Sequence, residues 1–219
     1  AAREVAVAEA RKLAEHKSVL VAELQHRVRN LMAMISSIAW RTQATACSVE
    51  DYAQRLSGRL TSLSRTQALL TRAANAGVSL RELLDEELTA AAPERANHRL
   101  NGADLLLAPK AAEVLSLAVH ELTTNALKHG ALSVPNGRVE IAWLVAGSEL
   151  TLLWAEMSGP PVIESSSPNQ GSGLIRRLVE RQLGGRLDHV LARSGARCQV
   201  TFSIEAAGVR ESARENHAR

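Results

Sequence analysis

"HELTTNALKHGALS", residues 120–133, is the stretch on which the reading of this chain turns. Glu121, Asn125 and Lys128 stand four and three residues apart, which places them on one face of a helix. Backwards along that face come Ala118 and Val114, both apolar. A stripe that should enter a core therefore ends in an acid, an amide and a base. Burying such groups is costly unless they are hydrogen-bonded or line a cleft. An asparagine carbonyl is a suitable hard ligand for Mg²⁺, which keeps several waters and takes its other ligands from substrate phosphates. A glutamate one turn earlier can orient a metal-bound water or assist proton transfer. Lys128 or His129, one turn later, can face a phosphate. The same spacing also suits a solvated helix end, so the stripe has to be weighed with the rest of the chain.

Around it the sequence predicts alternating helices and strands. Ser79 followed by Glu82 is a capping box that opens a helix over 80–91. Residues 104–108 read as a strand, and Pro109 then opens the helix that carries the quoted stretch. Strands follow at 137–145 and 149–156, separated by a Gly-Ser turn. Residues 159–173 form a loop rich in Pro, Ser and Gly. A helix at 174–183 closes on Gly184-Gly185, and strands at 186–192 and 198–205 end the pattern. The class is α+β, a layered sandwich with mainly antiparallel strands.

Residues 1–74 have a different grammar, with no strong strand signal and no proline. Val21, Leu24, Val28, Leu31, Ile35 and Ile38 recur at intervals of three and four, as in a coiled-coil or bundle seam. A second run, Val49, Ala53, Leu56, Leu60, Leu63, Gln67 and Leu70, keeps the same rhythm. Two such helices with a short break form an antiparallel hairpin. A hairpin buries only one seam, which predicts a homodimer built as a four-helix bundle. The expected organisation is a helical hairpin at 1–76, a sandwich at 77–207 and a disordered tail at 208–219. A weaker seam at Val7, Ala10 and Ala14 points towards a partner domain outside the chain, and the start at Ala-Ala-Arg reads as a cut from something longer.

Composition narrows the function classes. Of 219 residues 46% are hydrophobic and only 2% aromatic, so alanine, leucine and valine must fill the core. The formal net charge is +3, with basic residues scattered, which disfavours nucleic acid as a partner. No apolar run reaches membrane-spanning length and no signal peptide is visible. Cys47 and Cys198 read as free thiols of a reducing cytoplasm.

Two further signals join the helix stripe. Gly171-Ser172-Gly173 sits just before a helix, where free N–H groups can meet a phosphate, although an ordinary loop end looks the same. Glu156 ends a strand close to Gly159, where a carboxylate can accept from an exocyclic amine such as that of adenine; an edge-strand acid in solvent is the plainer alternative.

"HELTTNALKHGALS", "LLWAEMSGPPV" and "GSGLIRRLVERQLGGRL" together resemble, in order, the N box and two glycine boxes of the HWE-type sensor histidine kinases. His120, Trp154 and Glu156 are the diagnostic residues. "ELQHRVRNLMAMISSIAWRT" is similar to that family's phosphoacceptor box. The resemblance covers about residues 19–204 and implies a Bergerat-type ATP-binding domain behind a dimerisation and histidine-phosphotransfer hairpin. It implies ATP and Mg²⁺ as cofactors, Asn125 as the Mg²⁺-binding asparagine, Glu121 as the catalytic acid and Glu156 as the adenine-binding acid. Lys128, His129, Gly159, Gly171, Ser172 and Gly173 fall in the matching ATP-binding boxes. The family usually has Lys-Tyr-Gly where this chain has Lys128-His129-Gly130, and Gly-Phe-Gly where it has Gly171-Ser172-Gly173. A short stretch between Pro161 and Gly171 matches the family's abbreviated lid.

Among the seven histidines, His26 is the expected phosphate acceptor. With Val21 at a and Leu24 at d it falls at f, farthest from the seam, where a nucleotide held by another domain can reach it. Chance alone also places surface histidines there, and the match of His26-Arg27-Val28-Arg29-Asn30 to the family box is what favours it. Arg27 stands where many histidine kinases carry an acid, so Glu121 or Glu23 is left to orient the imidazole. His120 is expected to position its neighbours. The implied activity is autophosphorylation followed by transfer to an aspartate on a response regulator receiver domain. The alternative is a phosphotransfer scaffold with a degenerate ATP domain.

Overall fold

The computed structural model describes residues 2–73, 77–91, 97–161, 170–192 and 195–211, and it parts into two compact units, Ala1–Ser57 and Gly58–Arg219. The expected hairpin-to-sandwich boundary at 76/77 touches residues 74–76, which lie outside the described residues, as does most of the short lid stretch, 162–169.

The first unit is dominated by α1, Ala2–Gln43, an unbroken helix of 42 residues. Neither glycine nor proline interrupts it, and Ala, Leu, Glu and Arg supply the helix formers. Its end is tied off by Ala46 N–H donating to Thr42 O at 3.0 Å. Ser48 then caps α2, Val49–Arg72, by accepting from Asp51 N–H at 3.1 Å. Along the predicted seam Ile38 is buried, whereas Val21, Leu24 and Val28 are 44%, 62% and 47% exposed.

The second unit begins within α2. It continues through β1 (Val78–Ser79), α3 (Leu80–Ala91), β2 (His98–Asn101), β3 (Leu105–Leu107) and α4 (Pro109–Lys128). Then come β4 (Arg138–Ala146), β5 (Glu149–Met157), α5 (Gln170–Leu178), β6 (Arg186–Ala192), β7 (Gly195–Ser203) and β8 (Arg210–Glu211). Five strands form one sheet in the order β2-β4-β5-β7-β6, antiparallel except for the parallel pair β2 and β4. A small sheet, β1-β3-β8, stands apart from it. Alternation along the central strand β5 turns Leu150, Leu152, Trp154 and Glu156 to the buried face, beside Val139, Ile141 and Trp143 of β4 and Cys198, Val200 and Phe202 of β7. The α+β sandwich expected from the sequence is thus the observed one.

Three details differ from expectation. The segment from 208 onwards is not all tail: Val209 N–H donates to Ile204 O at 2.8 Å, Val209 is buried, and Arg210–Glu211 pair with β3. Residues 212–219 lie outside the described residues. The Gly171-Ser172-Gly173 stretch does not precede its helix but forms the first turn of α5, which starts at Gln170. Its backbone N–H groups remain those that a helix start leaves without intrahelical partners. Finally, the helix ends in a π-helical turn, Val179–Leu183, closed by Gly184 at φ 61.

Candidate functional site

Along α4 the stripe changes from core to surface one turn at a time. Val114 and Ala118 are buried, Glu121 is buried, Asn125 is half-buried, and Lys128 is exposed. The acid is therefore inside, and it is paired there. Arg59, from α2, donates from Nε to Glu121 Oε1 at 2.8 Å and from Nη2 to Oε2 at 2.7 Å. Such a two-pronged contact offsets the desolvation of both charges. Asn125 carries the backbone turn at the helix end, its carbonyl accepting from His129 N–H at 2.8 Å and Gly130 N–H at 3.2 Å. His129 caps the helix and is exposed.

That turn leads into Glu156. The backbone N–H of Ala131 donates to Glu156 Oε2 at 2.7 Å, joining the end of α4 to the end of β5. Glu156 lies on the inner face of the sheet and not on a solvated edge, because it shares the parity of Leu152 and Trp154. Burial pushes its carboxyl above the ordinary value, and the Ala131 N–H lowers it in part. Trp154 Nε1 is buried without a hydrogen bond of good geometry, yet lies close enough to lower it further. Glycines make room for this acid. A Cβ at Gly130 would collide with the Glu156 carboxylate, and one at Gly195 with the Glu156 backbone. A Cβ at Gly159 would come 2.9 Å from Ala131 N.

α5 packs against α4, and residues 170–173 form the first turn of α5. Gly173 is half-buried; the side chain of Ser172 lies outside the described residues, and Gly171 is placed by its backbone alone. Asn125 offers one hard amide oxygen, which suits a metal that borrows its other ligands from phosphates and water. Among the described residues no group of three or more His, Cys, Asp or Glu is placed to hold a metal.

His26 belongs to the first unit and is exposed on α1, as its f position predicts. Asn30, one turn on, places Nδ2 3.3 Å from His26 Nδ1, so the contact occupies that ring edge and leaves Nε2 pointing away from it. The side chains of Glu23 and Arg27 lie outside the described residues. His120 is half-buried on α4 with its buried Nδ1 3.8 Å from Glu87 Oε2 of α3, beyond hydrogen-bond reach. Burial pushes its pKa down, opposed by Glu121 and Glu87.

Sequence reasoning missed Arg59, Gly130 and Gly195. Arg59 could have been noticed: it stands three residues after Leu56 and four before Leu63, so a charged side chain falls on an apolar stripe. Gly130 carried a weaker signal, as the glycine that follows a helix end.

Known proteins are similar to this chain. The family model described as HWE histidine kinase matches residues 23–104. The chain is 33% identical over 204 residues to blue-light-activated histidine kinase 1 of Erythrobacter litoralis, covering 90% of this chain and 56% of that protein. It is 32% identical over 202 residues to the blue-light-activated histidine kinase of Rhizobium johnstonii, covering 91% and 56%. The chain thus spans little more than half the length of these curated relatives. Among solved structures, the histidine kinase domain of the Erythrobacter litoralis blue-light activated histidine kinase matches in fold, with TM-score 0.64 at 24% identity over 85% of this chain and 94% of that one.

Proposed function

We propose that this chain, which the HWE histidine kinase family model matches over residues 23–104, transfers the γ-phosphoryl group of ATP to His26. The observation that carries the reading is Glu156. It is a carboxylate on the buried face of a central strand, with one oxygen held by Ala131 N–H and acceptor capacity left for an adenine amine. Lys128, His129 and Gly159 surround the same turn, and the first turn of α5, with Gly171, Ser172 and Gly173, supplies N–H donors for phosphates. Asn125 would hold Mg²⁺, which when bound neutralises phosphate charge. The unprotonated ring nitrogen of His26 attacks the γ-phosphorus in line; the N–P bond forms, the bond to the bridging oxygen breaks, and ADP leaves with its electron pair. The imidazole proton passes to a base, for which Glu121 is the acid nearest in role. Alignment supplies most of the acceleration.

The wider role is part of the same proposal. The phosphoryl group passes on to an aspartate of a receiver domain. Functional boundaries at 1–76 and 77–207 separate acceptor from nucleotide site. A homodimer forms through α1, supported by the exposed Val21, Leu24 and Val28. A sensor segment outside these residues gives the input, supported by the greater length of the relatives. No helix among the described residues is long and apolar enough to cross a membrane, and a cytoplasmic setting is part of the same proposal.

Asn125→Ala tests the site. It is expected to lower Mg-ATP-dependent labelling by about a hundredfold or more while circular dichroism stays unchanged, because a metal ligand contributes several kcal/mol to charge stabilisation. Wild-type labelling in the folded variant would remove Asn125 from the site.

A further inference from the structure

The proposed site leaves Arg59 without a task, although its setting is unusual. It is 3% exposed, lies on α2 rather than on an ATP-binding box, and grips both oxygens of Glu121. We propose that Arg59 is a positioning residue for phosphoryl transfer, fixing the position and plane of the Glu121 carboxylate. This rests on the reading of Glu121 as the catalytic acid.

Four observations carry it. First, a buried ion pair is a poor way to gain stability, since apolar side chains of like volume do as well or better. The pair therefore calls for a reason beyond packing. Second, a glutamate has three rotatable bonds, and a planar guanidinium fork restrains carboxylate position and plane together. Catalytic groups displaced by about an ångström lose much of their effect. Third, the approach of α2 to α4 is close by design. Gly58 precedes Arg59, and a Cβ there would come 3.0 Å from His120 Nε2. A glycine inside a helix is unfavourable by about 0.5–1 kcal/mol, so this space is kept at a cost. Fourth, the neighbouring charges are accounted for elsewhere. Arg65 donates to Glu87 at 2.8 Å and 3.4 Å, so that neighbouring guanidinium is engaged away from Glu121.

The test is the rate of His26 labelling in the whole chain with Mg-ATP, alongside nucleotide Kd and melting temperature. Arg59→Gln is expected to slow labelling about tenfold or more with Kd within about twofold, and Arg59→Lys, which keeps the charge but loses the fork, to fall between it and wild type. Arg59→Gln added to Glu121→Gln should give no further loss, since both changes disable one unit. Arg65→Gln, which breaks only the neighbouring pair, should lower the melting temperature and leave the rate within about twofold. Equal slowing by Arg59→Gln in wild-type and Glu121→Gln backgrounds would overturn the proposal in favour of a purely structural role. Faster labelling than wild type would overturn it in favour of a restraining contact. If Arg59→Gln does not fold, Arg59→Lys in both backgrounds decides by the same criterion. Wild-type labelling by Glu121→Gln would overturn the role of Glu121 as well, whereas a slow Glu121→Gln with an additive Arg59 variant overturns the role of Arg59 alone.

Discussion

Two glutamates end up at similar depth in the second unit, Glu121 on α4 at 9% exposure and Glu156 on β5 at 6%. Their partners differ. Glu121 meets a full positive charge that grips both oxygens, and Glu156 meets one backbone N–H with the Trp154 indole nearby, both of them neutral donors. The helix acid is thus compensated as an anion, while the strand acid is left with a carboxyl that burial pushes upward. A group meant to work through its charge and geometry is served by the first arrangement. A group meant to be completed by a ligand's own donor is served by the second, because the incoming amine supplies what the fold withholds. On the proposed reading, chemistry and recognition separate along the site, from α4 to β5.

Glutamine substitutions break this comparison most sharply. Glu121→Gln keeps an acceptor for Arg59 but loses the charge, and is expected to slow phosphoryl transfer about a hundredfold with nucleotide Kd unchanged. Single-turnover labelling and equilibrium binding separate the two quantities; a Kd that rises with an unchanged rate would assign Glu121 to recognition instead. Glu156→Gln should do the reverse. An amide can donate to the guanine carbonyl, so ATP affinity is expected to fall about tenfold to a hundredfold and the preference over GTP to shrink, with the rate at saturation largely kept. Competition binding with the two nucleotides reads it, and an unchanged preference would leave Glu156 a structural residue.

The smallest effect is on stability. Burial raises the folded pKa of Glu156 above its ordinary value of 4.5, so folding favours the protonated acid. That stabilisation is complete below the unfolded value and is lost as pH rises through the folded one. The urea midpoint of Glu156→Gln relative to wild type should therefore climb as pH rises from 4.5 and level off above the folded value. A difference independent of pH, or one that declines, would show that the acid carries no such burden.

What could be read from sequence follows the range of the interactions involved. α3 is 80–91 in both readings because a capping box and helix-forming residues are local, and Glu82 N–H does bond Ser79 Oγ at 3.3 Å. β4, β5 and β6 were legible from alternation or from flanking turns. β1 and β8 have two residues each and β2 has four, too short for a period to register. The stripe of Glu121, Asn125 and Lys128 was legible because helix spacing is fixed. The pairing of Arg59 with Glu121 was not, since 62 residues separate them and only tertiary packing joins them. Glu156 could be seen as a strand-end acid, but its inward parity depended on where β5 begins.

Both acids matter only if the phosphoryl group they serve leaves the second unit for α1. The direct measurement is Mg-ATP labelling of His26→Gln, with the linkage tested in acid and base and nucleotide Kd measured on the same sample. An f position buries little surface, so the fold should persist. The account predicts an acid-labile, base-stable phosphoramidate in wild type, its loss in His26→Gln, and a Kd within about twofold of wild type because acceptor and nucleotide sites are separate. Acid-labile label that persists in His26→Gln and maps to His120 or His129 would contradict it.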